Sequence, residues 1–234
     1  MQQNEPHRHN TNGIRLFSLL WLSAAAVSAI WVLGSRSGLP TWHGFPNTAS
    51  TTLLLLASTA GTSRGVPSRY RWSIVAGLGC SALGDAFLML PGDYFVAGLG
   101  SFLAAHICYL WAFTSDSRLA GRIMPFVVWG IWGIGLVSWM WPRVTRPLRI
   151  PVVIYAAALS VMAAQAASRA AARCDATAIV AAVGAGLFVM SDSLLAFQRF
   201  CHPLEWGRIL VLGTYFAAQG GIALSVMLPR DRTA

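Results

Sequence analysis

The sequence predicts an all-α fold, a polytopic transmembrane bundle of about eight helices with a four-plus-four parallel internal repeat. Three observations lead there. Hydrophobic residues make up 56% of the 234 positions and charged residues only 11%, where a soluble domain carries about 25% charge. Eight apolar runs approach the length of about twenty residues that spans a bilayer. Two motifs recur in the same order four runs apart.

Span one, residues 14–33, is longer than the core of a signal peptide and lacks a cleavage site, so it is expected to stay as a helix. Span two, residues 49–60, is short and begins near Phe45. Spans three (72–90) and four (94–113) are separated by Pro91-Gly92-Asp93, a tight turn that makes them antiparallel neighbours. Spans five (123–141), six (148–166), seven (176–197) and eight (208–228) follow with short connections. Residues 1–13 and 229–234 are left as tails. The four cysteines show no CxxC spacing, and Cys80 and Cys108 fall inside apolar runs as small hydrophobes.

The formal charge of +9 comes from seventeen arginines and no lysine. They stand singly or in small groups between apolar runs, as topology signals do, which argues against nucleic-acid binding. Eight spans put both termini on one side. That side holds eleven arginines and the other six, so the termini are expected in the cytoplasm. The all-arginine usage points to a GC-rich bacterial genome and hence to the inner (cell) membrane.

The repeat is carried by "LGDAFL" in span three against "MSDSLL" in span seven, then "GSFLAAH" in span four against "GTYFAAQ" in span eight. An even offset of four helices implies halves related by an axis along the membrane normal.

Within the spans the carboxylates are Asp85 and Asp192; the other six acidic residues fall in tails or loops. An acidic side chain at the centre of a span costs roughly 2.5–3.5 kcal/mol. Spans three and seven run in the same direction, and each aspartate lies five residues before its span's end. Both are therefore expected roughly 8 Å below one membrane face, paired across a cavity. Tyr215 falls close to that level, with Gln219 on the same face at i+4. His106 is expected deeper, roughly 18 Å from the end of its span, with Tyr109 one turn on. Tyr155 lies near the middle of span six. Ala76, Cys80 and Gly84 form a small-residue stripe that permits close helix approach. A single histidine within the spans argues against a metal site, and no cofactor is implied.

These motifs resemble a known family. "LGDAFLMLPGDYFVAGLGSFLAAHICYLWAF", "IYAAALSVM", "GAGLFVMSDSLLAFQRF" and "TYFAAQGGIALS" are similar to the lysoplasmalogenase, or YhhN-like, membrane proteins, over about two thirds of the chain. The resemblance implies an eight-helix membrane hydrolase that cleaves the vinyl ether bond of lysoplasmalogens. The products would be a fatty aldehyde and glycerophosphocholine or glycerophosphoethanolamine. It implies Asp85 and Asp192 as catalytic residues, with His106, Tyr109, Tyr155, Tyr215 and Gln219 around the lysophospholipid substrate, within membrane lipids. One departure is that a lysine-proline pair, often found near the start of span two in the family, is replaced here by "FPNTASTTLLLL". If that lysine holds a phosphate, headgroup recognition differs in this chain.

Two carboxyl groups suit such a reaction. Protonating the vinyl carbon β to oxygen creates an oxocarbenium ion, which a neighbouring carboxylate stabilises while activating water. Glycosidases divide the labour similarly. Asp192 is assigned as the acid and Asp85 as the base and stabiliser. The rival reading is a transporter or lipid-handling protein that uses the same pair as a proton or cation relay.

Overall fold

A computed structural model describes residues 66–228; spans one and two and both tails lie outside the described residues. Six helices occupy this region: α1 Ser68–Met89, α2 Phe95–Phe113, α3 Met124–Met140, α4 Arg146–Arg173, α5 Ala176–Phe200 and α6 Gly207–Met227. Each, α3 together with the 3-10 turn Trp141–Arg143 that follows it, is long and apolar enough to cross a membrane, and together they make this an integral membrane protein. They correspond to spans three to eight. Helix α4 runs seven residues past the expected end because its polar residues there, Gln165, Ser168 and Arg169, are buried with partners.

Helices α1, α2, α4, α5 and α6 close a ring, each packed on the next, and α3 lies outside against α4. The inner faces carry Tyr109, Met162, Phe188 and Ile222, all fully buried, among small residues such as Ala105, Ala181, Ala185 and Ala218. Small side chains let membrane helices approach closely, where packing rather than water exclusion drives association. Trp111, Ile131, Ile134 and Ile150 point outward and are more than half exposed, as lipid-facing residues are. The expected small-residue stripe on α1 holds at Gly84 and is displaced by one position at its start. Ala76 faces outward, whereas Gly77 lies under the Tyr109 ring and a Cβ at Gly84 would come within 2.7 Å of Phe102.

Polar side chains close one end of the ring. Arg169, fully buried, forks onto Asp116 with bonds of 2.7 and 2.9 Å. Gln165 accepts from the Ala120 amide and donates to the Phe113 and Arg118 carbonyls. These bonds tie the α2–α3 connection to α4.

Asp175 caps α5 by accepting from the Ala178 amide at 2.7 Å and the Thr177 hydroxyl at 2.6 Å, and it pairs with Arg173 at 2.7 Å. Partial burial opposes its charge, but these donors prevail and lower its pKa to about 2. A depressed carboxyl pKa adds stability that is complete above the unfolded-state value and is lost as pH falls through about 2. Replacing Asp175 by Ala should therefore destabilise the protein by about 1 kcal/mol, the usual worth of an N-cap. Thermal melts in detergent should show the same deficit at neutral and at mildly acidic pH.

Candidate active site

Two chains of hydrogen bonds run between the helices at the other end, and each finishes on a carboxylate. The first joins α2, α4 and α5. His106 Nε2 lies 3.0 Å from the Tyr155 hydroxyl, which donates to Asp192 Oδ2 at 2.5 Å. The same ring nitrogen is 3.5 Å from Asp192 Oδ2. His106 is fully buried, and its Nδ1 has no hydrogen-bond partner among the described residues. Because the Tyr155 hydroxyl gives its proton to Asp192, its oxygen accepts from the ring, and Nε2 is the donor in this arrangement.

The second chain joins α1, α2 and α6. Tyr109 donates to Gln219 Oε1 at 2.8 Å, Gln219 Nε2 donates to the Tyr215 hydroxyl at 3.2 Å, and Tyr215 donates to Asp85 Oδ2 at 2.9 Å. Ser81 extends it at 3.4 Å from the Tyr109 hydroxyl. All seven residues singled out in the sequence thus lie in one or other chain. The chains differ in kind. Imidazole and phenol can exchange protons, so the His106–Tyr155–Asp192 chain can move one. The amide of Gln219 interrupts the other, which holds Asp85 in place through donors alone.

Both carboxylates line one cavity of about 470 Å³, shared with Tyr215, Phe102 and two arginines, Arg199 and Arg208. Asp192 also borders a second, apolar slot of about 70 Å³ between α3, α4 and α5, walled by Trp132, Leu136, Ala156, Leu159 and Ala196. Asp192, with a side chain 12% exposed, sits where the two spaces meet. Asp85 borders the cavity alone.

Two expectations of depth are corrected. The two aspartates are not the same distance from their helix ends. Asp85 is four residues from the end of α1 and Asp192 eight from the end of α5, or roughly 6 and 12 Å. Helix α5 continues to Phe200, three residues past the expected boundary, because Arg199 is held by an ion pair to Asp93 at 2.8 Å. That greater depth brings Asp192 down to His106, which therefore touches the carboxylate instead of lying well below it.

Other contributors escaped the sequence reading. Phe188, one turn before Asp192, stands edge-on to His106 at 4.8 Å and to Tyr215 at 5.6 Å, separating the two chains with a fully buried ring. Its i+4 spacing from Asp192 was the available signal. Ser81 and Trp132 carried no such signal, since serines and tryptophans are scattered along the chain. Trp132 donates to Ser193 at 3.4 Å across the slot.

Fold and site together define a class: an integral membrane protein whose helices enclose two carboxylates on one cavity, one of them also bordering an apolar slot. The sequence model of the YhhN family matches residues 45–226, and the chain belongs to that family. Lysoplasmalogenase TMEM86B of Sus scrofa is 32% identical over 211 residues, covering 88% of this chain and 86% of the relative. Lysoplasmalogenase TMEM86A of Bos taurus is 31% identical over 221 residues, 92% of this chain and 86% of the relative. A lysoplasmalogenase of Mycobacterium tuberculosis (strain CDC 1551 / Oshkosh) is 34% identical over 181 residues, 71% of this chain and 64% of the relative. No solved structure matches the chain.

Proposed function

We propose that this protein is a lysoplasmalogenase-like membrane hydrolase. It cleaves the vinyl ether bond of lysoplasmalogens to a fatty aldehyde and glycerophosphoethanolamine or glycerophosphocholine. The observation that carries this reading is the position of Asp192, on the boundary between a polar cavity and an apolar slot. A single-chain lipid laid across that boundary has its alkenyl chain in the slot and its glycerol in the cavity. Its vinyl ether then lies at the carboxyl group. The names of the relatives in both animals and bacteria point to the same substrate.

In the proposed reaction Asp192 gives its proton to the vinyl carbon β to oxygen, leaving an oxocarbenium ion beside the Asp85 carboxylate. Water adds to the carbon bound to oxygen and passes a proton to Asp85. The resulting hemiacetal gives its hydroxyl proton to the Asp192 carboxylate as its carbon–oxygen bond to glycerol breaks. The glycerol oxygen takes the proton held by Asp85, giving aldehyde and alcohol. One water is consumed and both carboxyl groups return to their starting forms. Tyr155, backed by His106, holds Asp192 in place, and Tyr215 holds Asp85 toward the cation.

The finer architecture belongs to the same proposal. Eight helices, termini in the cytoplasm and residence in a bacterial inner membrane would open the cavity on the periplasmic side. A parallel repeat accounts for the crossed pairing of the carboxylates. Asp85 of the first half meets Tyr215 of the second, and Asp192 of the second meets His106 of the first.

Purified protein given equal amounts of lysoplasmenylethanolamine and chain-matched acyl lysophosphatidylethanolamine tests the reading. Aldehyde should form and the acyl lipid should remain whole. Free fatty acid from the acyl lipid, or no aldehyde from the vinyl ether, would sink it.

A further inference from the structure

We propose that Arg199 and Arg208 form a phosphate clamp at the mouth of the cavity, taking the phosphodiester of a single-chain glycerophospholipid. Both arginines line the cavity that holds the two aspartates. Arg199 lies seven residues beyond Asp192 on α5, and Arg208 seven residues before Tyr215, the partner of Asp85, on α6. Seven residues are about two helical turns, so each arginine shares a face with its counterpart and stands roughly 10 Å nearer the membrane surface. The glycerol unit between a vinyl ether oxygen and a phosphate is shorter than that rise, and the long arginine side chains can reach back along their helices to close the difference.

The setting favours an anion with oxygens to spare. Guanidinium groups fork onto phosphate with charge-assisted bonds. Arg208 is the second residue of a 21-residue helix, where the helix dipole adds to its attraction for negative charge. The Arg199 guanidinium lies 4.9 Å above the Phe95 ring, and Phe95 itself lines both the cavity and the slot. Its partner Asp93 is 70% exposed, and such exposed pairs contribute little and exchange readily. A phosphate arriving at the mouth can take the place of the Asp93 carboxylate. Two cations at the mouth and two carboxylates two turns deeper would fix the lipid's direction, phosphate outward and chain inward.

This clamp rests on the hydrolase reading for its substrate but is testable without turnover. The probes are radiolabelled 1-O-alkyl lysophosphatidylethanolamine, which has no vinyl ether to cleave, 1-O-alkylglycerol, which has no phosphate, and inorganic phosphate. Binding is measured on purified full-length protein in detergent. Replacing both arginines (Arg199→Gln with Arg208→Gln) should weaken the lysophospholipid at least about tenfold and leave the alkylglycerol unchanged, which also reports that the protein is folded. Asp93→Asn should tighten the lysophospholipid by releasing Arg199. Inorganic phosphate should compete only at far higher concentration than the lipid. Equal losses for both lipids, or no loss for either, would overturn the clamp. Inorganic phosphate binding as tightly as the lipid would overturn the assignment to a lipid headgroup. Phosphate-dependent binding without aldehyde release from a vinyl ether would keep the clamp and remove the hydrolase. Aldehyde release with no preference for phosphate would do the reverse.

Discussion

Asp85→Asn and Asp192→Asn should each fold as well as the parent and each lose at least about a hundredfold of activity, the lower range for losing general acid–base catalysis. Asparagine keeps the shape and can still accept from Tyr215 or Tyr155 through its carbonyl oxygen. What it lacks is a transferable proton and a negative charge. Removing a buried ionisable group relieves the burden of burying charge, so melting temperatures should hold or rise slightly. The double variant should be little worse than either single one, because groups that act as a unit do not lose activity additively. Melts in detergent beside aldehyde assays would separate the outcomes. Active, unaltered asparagine variants would mean that the aspartates serve packing alone.

The second large effect concerns the chain behind Asp192. Tyr155→Phe removes the hydroxyl between His106 and the carboxylate, and His106→Gln removes the ring bonded to that hydroxyl. Each should lower kcat about tenfold, as the carboxyl group loses the bonds that orient it. The pH profile should distinguish this from simple damage. Without His106 the limb that reports the acid should move, because the ring lies 3.5 Å from the Asp192 carboxylate and bonds the hydroxyl that donates to it. Tyr215→Phe leaves that limb in place, since the Tyr215 hydroxyl joins Gln219 to Asp85 and makes no bond to Asp192 or His106. An unchanged profile in His106→Gln would remove the histidine from the reaction.

Much of this site was legible in the sequence, for a physical reason. A carboxylate inside an apolar span is costly enough to stand out, and so are a histidine, a glutamine and tyrosines on the same helices. Asp85, Asp192, His106, Tyr109, Tyr155, Tyr215 and Gln219 were found in that way, and the structure joins all of them by hydrogen bonds. The partnerships were less legible. Helical arithmetic placed His106 well below the carboxylates, because hydropathy set the end of α5 at residue 197 and missed the turn fixed by Arg199 and Asp93. Rotational errors were of the same origin. The small-residue stripe pointed to Ala76, whereas the neighbour that meets Tyr109 is Gly77, a shift of one residue or about 100°. The slot could not be read at all. It is a space between α3, α4 and α5 made of Trp132, Leu136, Ala156 and Leu159, residue types common to every span.

The central claim is that the proton goes to carbon and water adds to the vinyl carbon, so that the glycerol keeps its own oxygen. Hydrolysis of lysoplasmenylethanolamine in ¹⁸O-labelled water tests this directly, read by the mass of the released glycerophosphoethanolamine. The account predicts no label in that product. Heavy oxygen in its new hydroxyl would show that water attacks the glycerol carbon instead, and would contradict the mechanism assigned to Asp85 and Asp192.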